Sequence, residues 1–420
     1  MASISVTVEV NFGGIKPSPP HLVDVSADVL GATIEYGRLR AVDTFASGYC
    51  HVDLNNSAGT YTPDGPGATY GDDIYLGREV RISASVSGSS PSIPLWRGYV
   101  TDVDCIADTH TSVVTLKCSD ALWKLGSTQL AAYTASSEVA SARFTDVLDD
   151  AAVDFPAEPG SPSVTDPSNR SISTSVIQLQ AQSSTDAFTM DYFDKIVQSE
   201  DGALYVGQGV PGNATPTAGN RGGVLTFRSR QEDPSDTGLT VTEGSPTSAT
   251  SLPFREVSTQ YGSELLFNKA TYTREGGTAQ TVTDTTAKAS LGAFQQVVRT
   301  GLLNNDDADC RTAAEYFVYR HANPSLRVER VTLVPTAMTD DQALAALKLT
   351  IWDGITVAFT PPGASGQLSA PCRVEGVQHR IQPGLIQSTL TTSAADEGNY
   401  LILDDPIAGL LNTGRLAPAA

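Results

Sequence analysis

The strongest constraint on the fold is an alternation of apolar and polar residues with a period of two. It is clearest at residues 3–10 and 80–86, and turn-forming clusters separate such runs. Because successive side chains of a strand point to opposite faces, this alternation predicts half-buried strands. Further strands are predicted at residues 22–29, 49–54, 96–105 and 112–118. The first part of the chain is therefore predicted to be an antiparallel β domain, a barrel or a sandwich.

A few helices interrupt the strands. A short helix is predicted over 121–125, with Ser119 or Asp120 as its cap and Gly126 as its end. Apolar residues at helical spacing predict a second helix over 187–197, with caps from Ser184, Thr185 and Asp186, and two more over 308–321 and 340–347. Strands are predicted at 203–206 and 224–227, which form a hairpin, and at 264–273, 279–284, 326–334, 349–359 and 374–392. The predicted fold class is mainly β with a few helices, a β-rich α+β chain.

Length and turn composition predict several domains. The chain has 420 residues, and its 36 Gly and 24 Pro residues argue against long helices. A rough 150 residues per domain gives about two or three domains. We predict an N-terminal, barrel-like β domain at 1–126, a linker and loop region at 127–180, a helix and β-hairpin domain at 181–255, a second β-rich domain at 256–405 and a C-terminal tail at 406–420. No sequence repeat is found, although two β-rich halves can share a structure without sequence identity.

Charge and hydropathy exclude several classes of protein. The chain has 27 Lys and Arg against 47 Asp and Glu, a formal charge of −20, and a protein that captures nucleic acids needs the opposite sign. The first residues lack the basic flank and apolar core of a secretory signal, so no export by a cleaved peptide is expected. No run of about 18 apolar residues is present, so no membrane-spanning segment is expected. Five widely spaced cysteines predict reduced, mostly buried thiols.

The common catalytic templates are missing. No nucleophile elbow, phosphate loop, dinucleotide fingerprint or zinc-protease motif occurs, and the five histidines are scattered. His51 and Asp53 lie on one face of a predicted strand, but a solvent-facing polar pair explains that spacing as well as a metal pair does. Cys310 and His321 lie about three helical turns apart, too far to act as nucleophile and base. We therefore predict no enzyme activity and no catalytic, cofactor-binding or metal-binding residue, and no cofactor.

Two further patterns have a structural and a functional interpretation. The acidic run at 304–309 has oxygen ligands but lacks the glycine and distal glutamate of a calcium loop, so helix capping is the preferred interpretation. Tyrosines 61, 70 and 75 could form a sugar-stacking platform, although isolated tyrosines in β proteins more often pack against the sheet. Packing is the interpretation that we prefer for all three.

Four segments, in their order along nearly the whole chain, resemble one protein family. The first begins at Glu35-Tyr36-Gly37-Arg38 and continues through 46–56, 59–63, 77–82 and 95–100. The second is 200–206 followed by 223–228, and the third is 349–357, an apolar strand, a tight turn and a second strand. The fourth is 374–381 with Pro383-Gly384 and then 401–405. In this order they resemble the tail hub or minor tail proteins of long-tailed bacteriophages, which are related to the baseplate hub of contractile-tailed phages.

This resemblance implies a structural virion protein at the tail tip. Such a hub is expected to be a homotrimeric ring that joins the tail tube and distal tail protein to the tip machinery, with the tape measure protein and other tail-tip or fibre proteins as further partners. DNA is expected to pass through it without specific binding, and the acidic excess suits that passage. Assembly is expected in the bacterial cytoplasm. No lytic or fibre-like domain follows Leu416, so no wall-degrading or receptor-binding role is expected.

Two alternatives remain open at this point. One is the distal tail ring protein, which is hexameric in related phages, so that stoichiometry separates it from the hub. The other is a carbohydrate-binding module that meets the host surface through loops at 57–73 or 207–223.

Overall fold

The computed structural model describes residues 2–12, 22–40, 42–87, 92–107, 112–150, 152–153, 170–214, 222–230, 232–262, 265–322 and 327–395. The chain is mainly β, with six helices among the described residues, and the predicted fold class is confirmed. Its largest sheet has 13 strands, drawn from both ends of the chain. None of the described helices combines the length and the hydrophobicity that a membrane span requires.

The N-terminal part of this sheet is an open six-stranded layer. Its strands hydrogen-bond in the order β1-β5-β6-β7-β4-β3, and the short β2 pairs with the end of β1. The two outer strands, β1 and β3, line opposite sides of one groove, so the layer curves back towards itself. The strands are β1 (Ile4–Asn11), β2 (Leu22–Asp24), β3 (Val29–Gly37), β4 (Ala46–Asn55), β5 (Glu79–Val86), β6 (Ile93–Ala107) and β7 (Ser112–Ser119).

The C-terminal part is a closed six-stranded barrel. Its strands pair in the order β22-β21-β15-β16-β20-β23, and β23 pairs back onto β22. The strands are β15 (Ser235–Thr242), β16 (Ser251–Gln260), β20 (Arg327–Leu333), β21 (Asp353–Phe359), β22 (Leu368–Gln382) and β23 (Leu385–Ala394). Helix α6 (Asp340–Lys348), with a capping box at Thr339 and Gln342, contacts strands of both layers. One continuous apolar core runs through both layers.

Two smaller units flank the large sheet, each with an apolar core of its own. The first contains α1 (Ala121–Gly126), β8 (Gln129–Ala135), β9 (Glu138–Val139), α2 (Ala140–Asp149), β10 (Arg170–Ile172), β11 (Gln178–Leu179), β12 (Gln182–Phe188), α3 (Thr189–Glu200), β13 (Ala203–Gly207) and β14 (Val224–Arg228). The second contains β17 (Lys269–Arg274), β18 (Gln280–Thr283), α4 (Thr285–Leu291), β19 (Gln296–Leu302) and α5 (Asp307–His321).

The N-terminal layer and the C-terminal barrel, which are called the two six-stranded layers from here on, meet where β3 pairs with β22. Six residue pairs run from Gly37 opposite Gly376 to Ala32 opposite Ile381. Gly37 has φ +106°, and a Cβ there would lie 2.4 Å from the carbonyl oxygen of Glu375. Only glycine tolerates this close approach and this backbone conformation. The junction between the layers therefore requires glycine at position 37, and a Cβ at the paired Gly376 would lie 2.9 Å from the Arg38 carbonyl oxygen.

Most predicted elements are confirmed, but several segments differ. The strand predicted at 264–273 begins at Lys269, and the strand predicted at 349–359 begins at Asp353, after a turn at 351–352. The strand predicted at 22–29 is short β2, a 3₁₀ turn at Ser26–Asp28 and the start of β3. The helix predicted at 187–197 begins at Thr189 without a side-chain cap, because the predicted caps lie in strand β12. Of these, Asp186 accepts a hydrogen bond from the Ala132 main chain instead.

The region 127–180, predicted as linker and loop, contains β8 and α2. Leu130, Tyr133 and Phe144 are buried there in the first flanking core. These elements are short and are stabilised by tertiary packing rather than by a long periodic pattern. Residues 154–169, which belong to this predicted linker and loop region, and residues 396–420, which include the whole C-terminal tail, lie outside the described residues. The division into domains stays a prediction.

The sheets also contain parallel pairs that the alternation did not predict. Strand β15 runs parallel to both β16 and β21, and β17 runs parallel to β19. Strands β15, β16 and β19 and helix α4 had no sequence prediction. Serine, threonine and glycine dominate around them, so their apolar periodicity is weak.

Candidate functional surface

Strand pairing builds a polar surface that crosses the junction between the two layers. Residues paired across neighbouring strands project on the same side of a sheet. One row of paired residues is Ser119, Tyr49, Glu35, Gln378 and Thr389, in that spatial order, and a second row is Lys117, His51, Thr33, Arg380 and Gln387. These ten residues from β7, β4, β3, β22 and β23 are called the shared face. It is one surface although its residues come from both ends of the chain.

Hydrogen bonds tie the shared face together at the junction. A carboxylate oxygen of Glu35 accepts a hydrogen bond from the Tyr49 hydroxyl at 2.7 Å and another from the Gln378 amide at 2.7 Å. The hydrogen bond to Glu35 and partial burial raise the pKa of Tyr49 to about 12, so its hydroxyl stays protonated at neutral pH. Beside these groups the surface dips into a polar groove of about 370 Å³, lined in part by Arg330, Gln387 and Thr391.

The charges of the shared face are spaced and partly neutralised. Lys117 pairs with Asp102 at 3.0 Å and with Asp104 at 2.7 Å, both exposed. Arg380 lies exposed on the same row, and Glu35 carries the face's negative charge. Among the ten residues of the shared face, the cations Lys117 and Arg380 are thus spaced and one of them is paired, so these residues do not form a dense patch that would hold a phosphate backbone.

The opposite side of the same strands is buried. Cys118, Cys50, Ile34, His379 and Ser388 pair in this order across the five strands, and all are at most 1% exposed. Burial lowers the pKa of His379 to about 4, and its Nδ1 lies 2.9 Å from the Ser388 hydroxyl. The histidine is therefore a neutral core residue.

A buried charge network fixes the junction behind the shared face. Glu375 accepts hydrogen bonds from Arg38 at 2.7 Å and from Arg373 at 2.6 Å, and it also accepts one from Ser393. Burial alone would raise the pKa of this carboxyl, but the two guanidinium groups and Ser393 hold it well below its usual range. The Arg373 guanidinium also lies 4.3 Å from the ring centroid of Trp352. Each charge has a partner, so the network is rigid rather than reactive.

The tight turn before β21 is also held by a carboxylate. Asp353 accepts hydrogen bonds from the main-chain N–H groups of Thr350 at 3.0 Å and Gly212 at 2.8 Å. Burial raises its pKa to about 7, against the opposing effect of these two donors. Trp352 takes φ +74° in this turn and donates its indole N–H to the Glu232 carbonyl. This turn belongs to 349–357, the third segment of the sequence resemblance, and its role here is structural.

His51 and Asp53, the pair on one predicted strand face, both lie on β4. His51 is exposed on the shared face, and its ring is tilted against that of Tyr49, with ring centroids 5.4 Å apart. Asp53 accepts a hydrogen bond from the Thr115 hydroxyl at 2.6 Å. Within the described ranges, no group of three or more potential metal-ligating His, Cys, Asp or Glu residues is found. Each side chain thus has a neighbour on an adjoining strand position, Tyr49 for His51 and Thr115 for Asp53.

The tyrosines do not form an exposed platform. Tyr61 is 2% exposed, and its hydroxyl donates to Asp28. Tyr70 stacks on Phe12 with ring centroids 4.2 Å apart, while Tyr75 is 65% exposed. Packing explains the first two tyrosines, as preferred, whereas Tyr75 projects from the surface.

The acidic run and the distant cysteine and histidine have structural roles. Asp306 is the N-cap of α5 and accepts a hydrogen bond from the main chain of Asp309. Cys310 and His321 are both buried, and His321 packs against Phe317 with ring centroids 4.5 Å apart. All five cysteines are free thiols, four of them buried and Cys105 exposed.

No protein-family model matches the sequence, and no curated protein matches it. Two solved structures share its fold over nearly the whole chain. The tail protein from Neisseria meningitidis MC58 superposes with a TM-score of 0.56 at 10% identity, covering 93% of this chain and 96% of that one. The 43 kDa tail protein of prophage MuSo2 from Shewanella oneidensis superposes with a TM-score of 0.57 at 11% identity, covering 93% and 99%.

The chain therefore has the fold of phage tail proteins. The resemblance predicted from the sequence is confirmed at the level of the fold.

Proposed function

We propose that this chain is a structural tail protein that forms a threefold hub ring at the tail tip. The observation that carries the proposal is the pair of six-stranded layers joined edge to edge through β3 and β22, in a fold shared end to end with two tail proteins. Three copies of a two-layer subunit present six layers around an axis. Such a ring can match a sixfold tube or distal tail ring while remaining a trimer.

The shared face is the surface that we assign to the central passage. It continues across both layers, and none of its ten residues is a large aliphatic side chain. Its spaced and partly paired charges suit DNA that must slide past without binding. The outward surfaces of the two flanking units are then available to the distal tail protein, the tape measure protein and other tip proteins. The role proposed is mechanical, without catalysis, and the location is the virion.

The passage assignment can be tested with one added charge. Thr33→Lys places a cation in the middle of the shared face, and Thr283→Lys places the same cation on exposed strand β18 of a flanking unit. We expect particles with either variant to assemble, and those with Thr33→Lys to release DNA more slowly at low salt. Dye fluorescence on released DNA measures the rate. Equal rates for the two variants would remove the assignment.

The hexameric distal tail ring protein is the second candidate. Its six copies would present twelve such layers around the axis, so the copy number in assembled tails separates it from the hub. The carbohydrate-binding alternative loses one supporting argument, because Tyr61 is buried and Tyr70 stacks on Phe12, although Tyr75 is exposed.

A further inference from the structure

A groove of about 280 Å³ separates the outer strands of the N-terminal layer. Its walls carry Ile4, Val6 and Val8 of β1 on one side and Val29 and Leu30 at the start of β3 on the other, and the polar side chains of its lining are Ser26, Thr336 and Gln382. No lining residue is charged, in a chain with a net charge of −20. A groove without charged residues selects an uncharged occupant, because a charged group would lose part of its hydration there without a counter-charge.

The β1 edge inside this groove has unused main-chain hydrogen-bonding groups. The N–H of Val8 donates to the Ser26 hydroxyl at 2.8 Å, and the C=O of Val8 accepts from the Val25 N–H at 2.9 Å, so both groups of Val8 point away from β5. Main-chain direction alternates along a strand, so the corresponding groups of Ile4 and Val6 point the same way. Strand β2 pairs only with residues 9–11. Among the described residues, no group bonds to this side of Ile4 and Val6.

The position of the groove indicates where its occupant comes from. Its far wall is the β22–β23 turn, including Pro383 and Leu385, and this turn ends the strands of the shared face. If the shared face surrounds a passage as the wall of a barrel does, its strands tilt against the axis, and this turn at their ends lies at one rim of the passage. A chain that enters the groove then belongs to the next ring along the tail axis.

We propose that the β1 edge binds an uncharged, extended segment of a neighbouring tail protein of a different kind, which adds a strand beside Ile4 and Val6. This proposal rests on the proposed function. Main-chain hydrogen bonds hold such a strand, while alternate apolar side chains enter the groove. The free edge is short, about three to five residues at roughly 3.3 Å each, so the occupant is a short strand. The added strand completes the pairing that β2 leaves unfinished.

Hydrogen exchange on the isolated chain and on the same chain in purified tails tests this directly. We expect the amides of Ile4 and Val6 to exchange more than about tenfold more slowly in tails than in the isolated chain. Unchanged exchange in tails that contain the protein overturns the proposal but leaves the hub function standing. Protection already present in the purified chain alone also overturns it, because the edge is then occupied by the chain itself or by a second copy. Tails that lack the chain refute the proposed function instead.

A matched pair of variants tests the main-chain contact. Val6→Pro removes the N–H that faces the groove, and proline is tolerated on a strand edge where the N–H has no ladder partner. Val6→Ala keeps that N–H and loses only side-chain volume. We expect both purified variants to keep the wild-type β-sheet circular dichroism, and only Val6→Pro to lose at least about tenfold in incorporation into tails. Equal incorporation, or equal loss, of the two variants overturns the proposal.

Discussion

Replacing His379 by asparagine should remove a loss of stability at mildly acidic pH. The imidazole is 1% exposed in the core beneath the shared face, and its pKa is lowered by burial from 6.5 to about 4. The unfolded chain therefore takes up a proton near pH 6.5 that the folded chain refuses. Because the folded pKa is the lower one, folding loses free energy as pH falls through 6.5, and the loss continues until pH approaches 4.

The size of the effect follows from these two pKa values. Between pH 7 and pH 5 the histidine contributes a loss of about 2 kcal/mol, since one pKa unit corresponds to about 1.4 kcal/mol. Asparagine at this position can keep a hydrogen bond with Ser388, but it does not titrate. The smaller side chain of the variant lowers its unfolding free energy by the same amount at both pH values, so this loss cancels in the comparison.

Urea unfolding at pH 7 and pH 5 measures the effect. Buried carboxyls with raised pKa values, Asp353 at about 7 and Asp120 at about 6, act in the opposite direction, but they do so equally in both proteins. The pH-induced change in unfolding free energy should therefore be more destabilising for the wild type than for His379→Asn by about 2 kcal/mol. An identical change in the two proteins would refute the assignment of a neutral, buried histidine.

Three further predictions concern the junction and a helix cap, and urea unfolding at pH 7 checks each of them. Glu375→Gln leaves two buried guanidinium groups without a counter-charge and should lower the unfolding free energy by about 3–5 kcal/mol. The control Glu256→Gln, at an exposed position, should lower it by less than about 0.5 kcal/mol. Equal losses would contradict the buried network. Gly37→Ala should lower the unfolding free energy by more than about 3 kcal/mol, because its Cβ would meet the main chain. Gly59→Ala has open space around its Cβ and should lower it by about 1 kcal/mol. A similarly small loss for Gly37→Ala would refute the close approach. Asp306→Ala removes the acceptor at the start of α5 and should cost about 1 kcal/mol, and no loss would show that the cap contributes nothing.

Local sequence patterns were sufficient for the elements that carry strong periodicity or clear caps. The alternation at residues 3–10 corresponds to β1, and the acids before residue 307 cap α5 as expected. The prediction at 187–197 was wrong at its start, because Ser, Thr and Asp serve as caps in one context and as edge-strand residues in another. Here Asp186 bonds to a neighbouring strand instead, a contact that depends on the tertiary fold.

The shared face and its supporting network could not be read from the sequence. Glu35 meets Gln378, which is 343 residues away, and Arg38 meets Glu375, which is 337 residues away. Such contacts depend on strand register between the two ends of the chain, and a shift of one residue would reverse every side chain. The sequence signals that existed were Gly37-Arg38 and Val374-Glu375-Gly376, which carried the family resemblance without revealing that they touch.

An electron cryomicroscopy reconstruction of assembled tails, computed without imposed symmetry, tests the proposed hub ring. We expect three copies of this chain in one ring at the tail tip, six β layers around the axis, and the row from Ser119 to Thr389 facing the central passage. Six copies in the ring, or a shared face covered by another protein away from the passage, would contradict it.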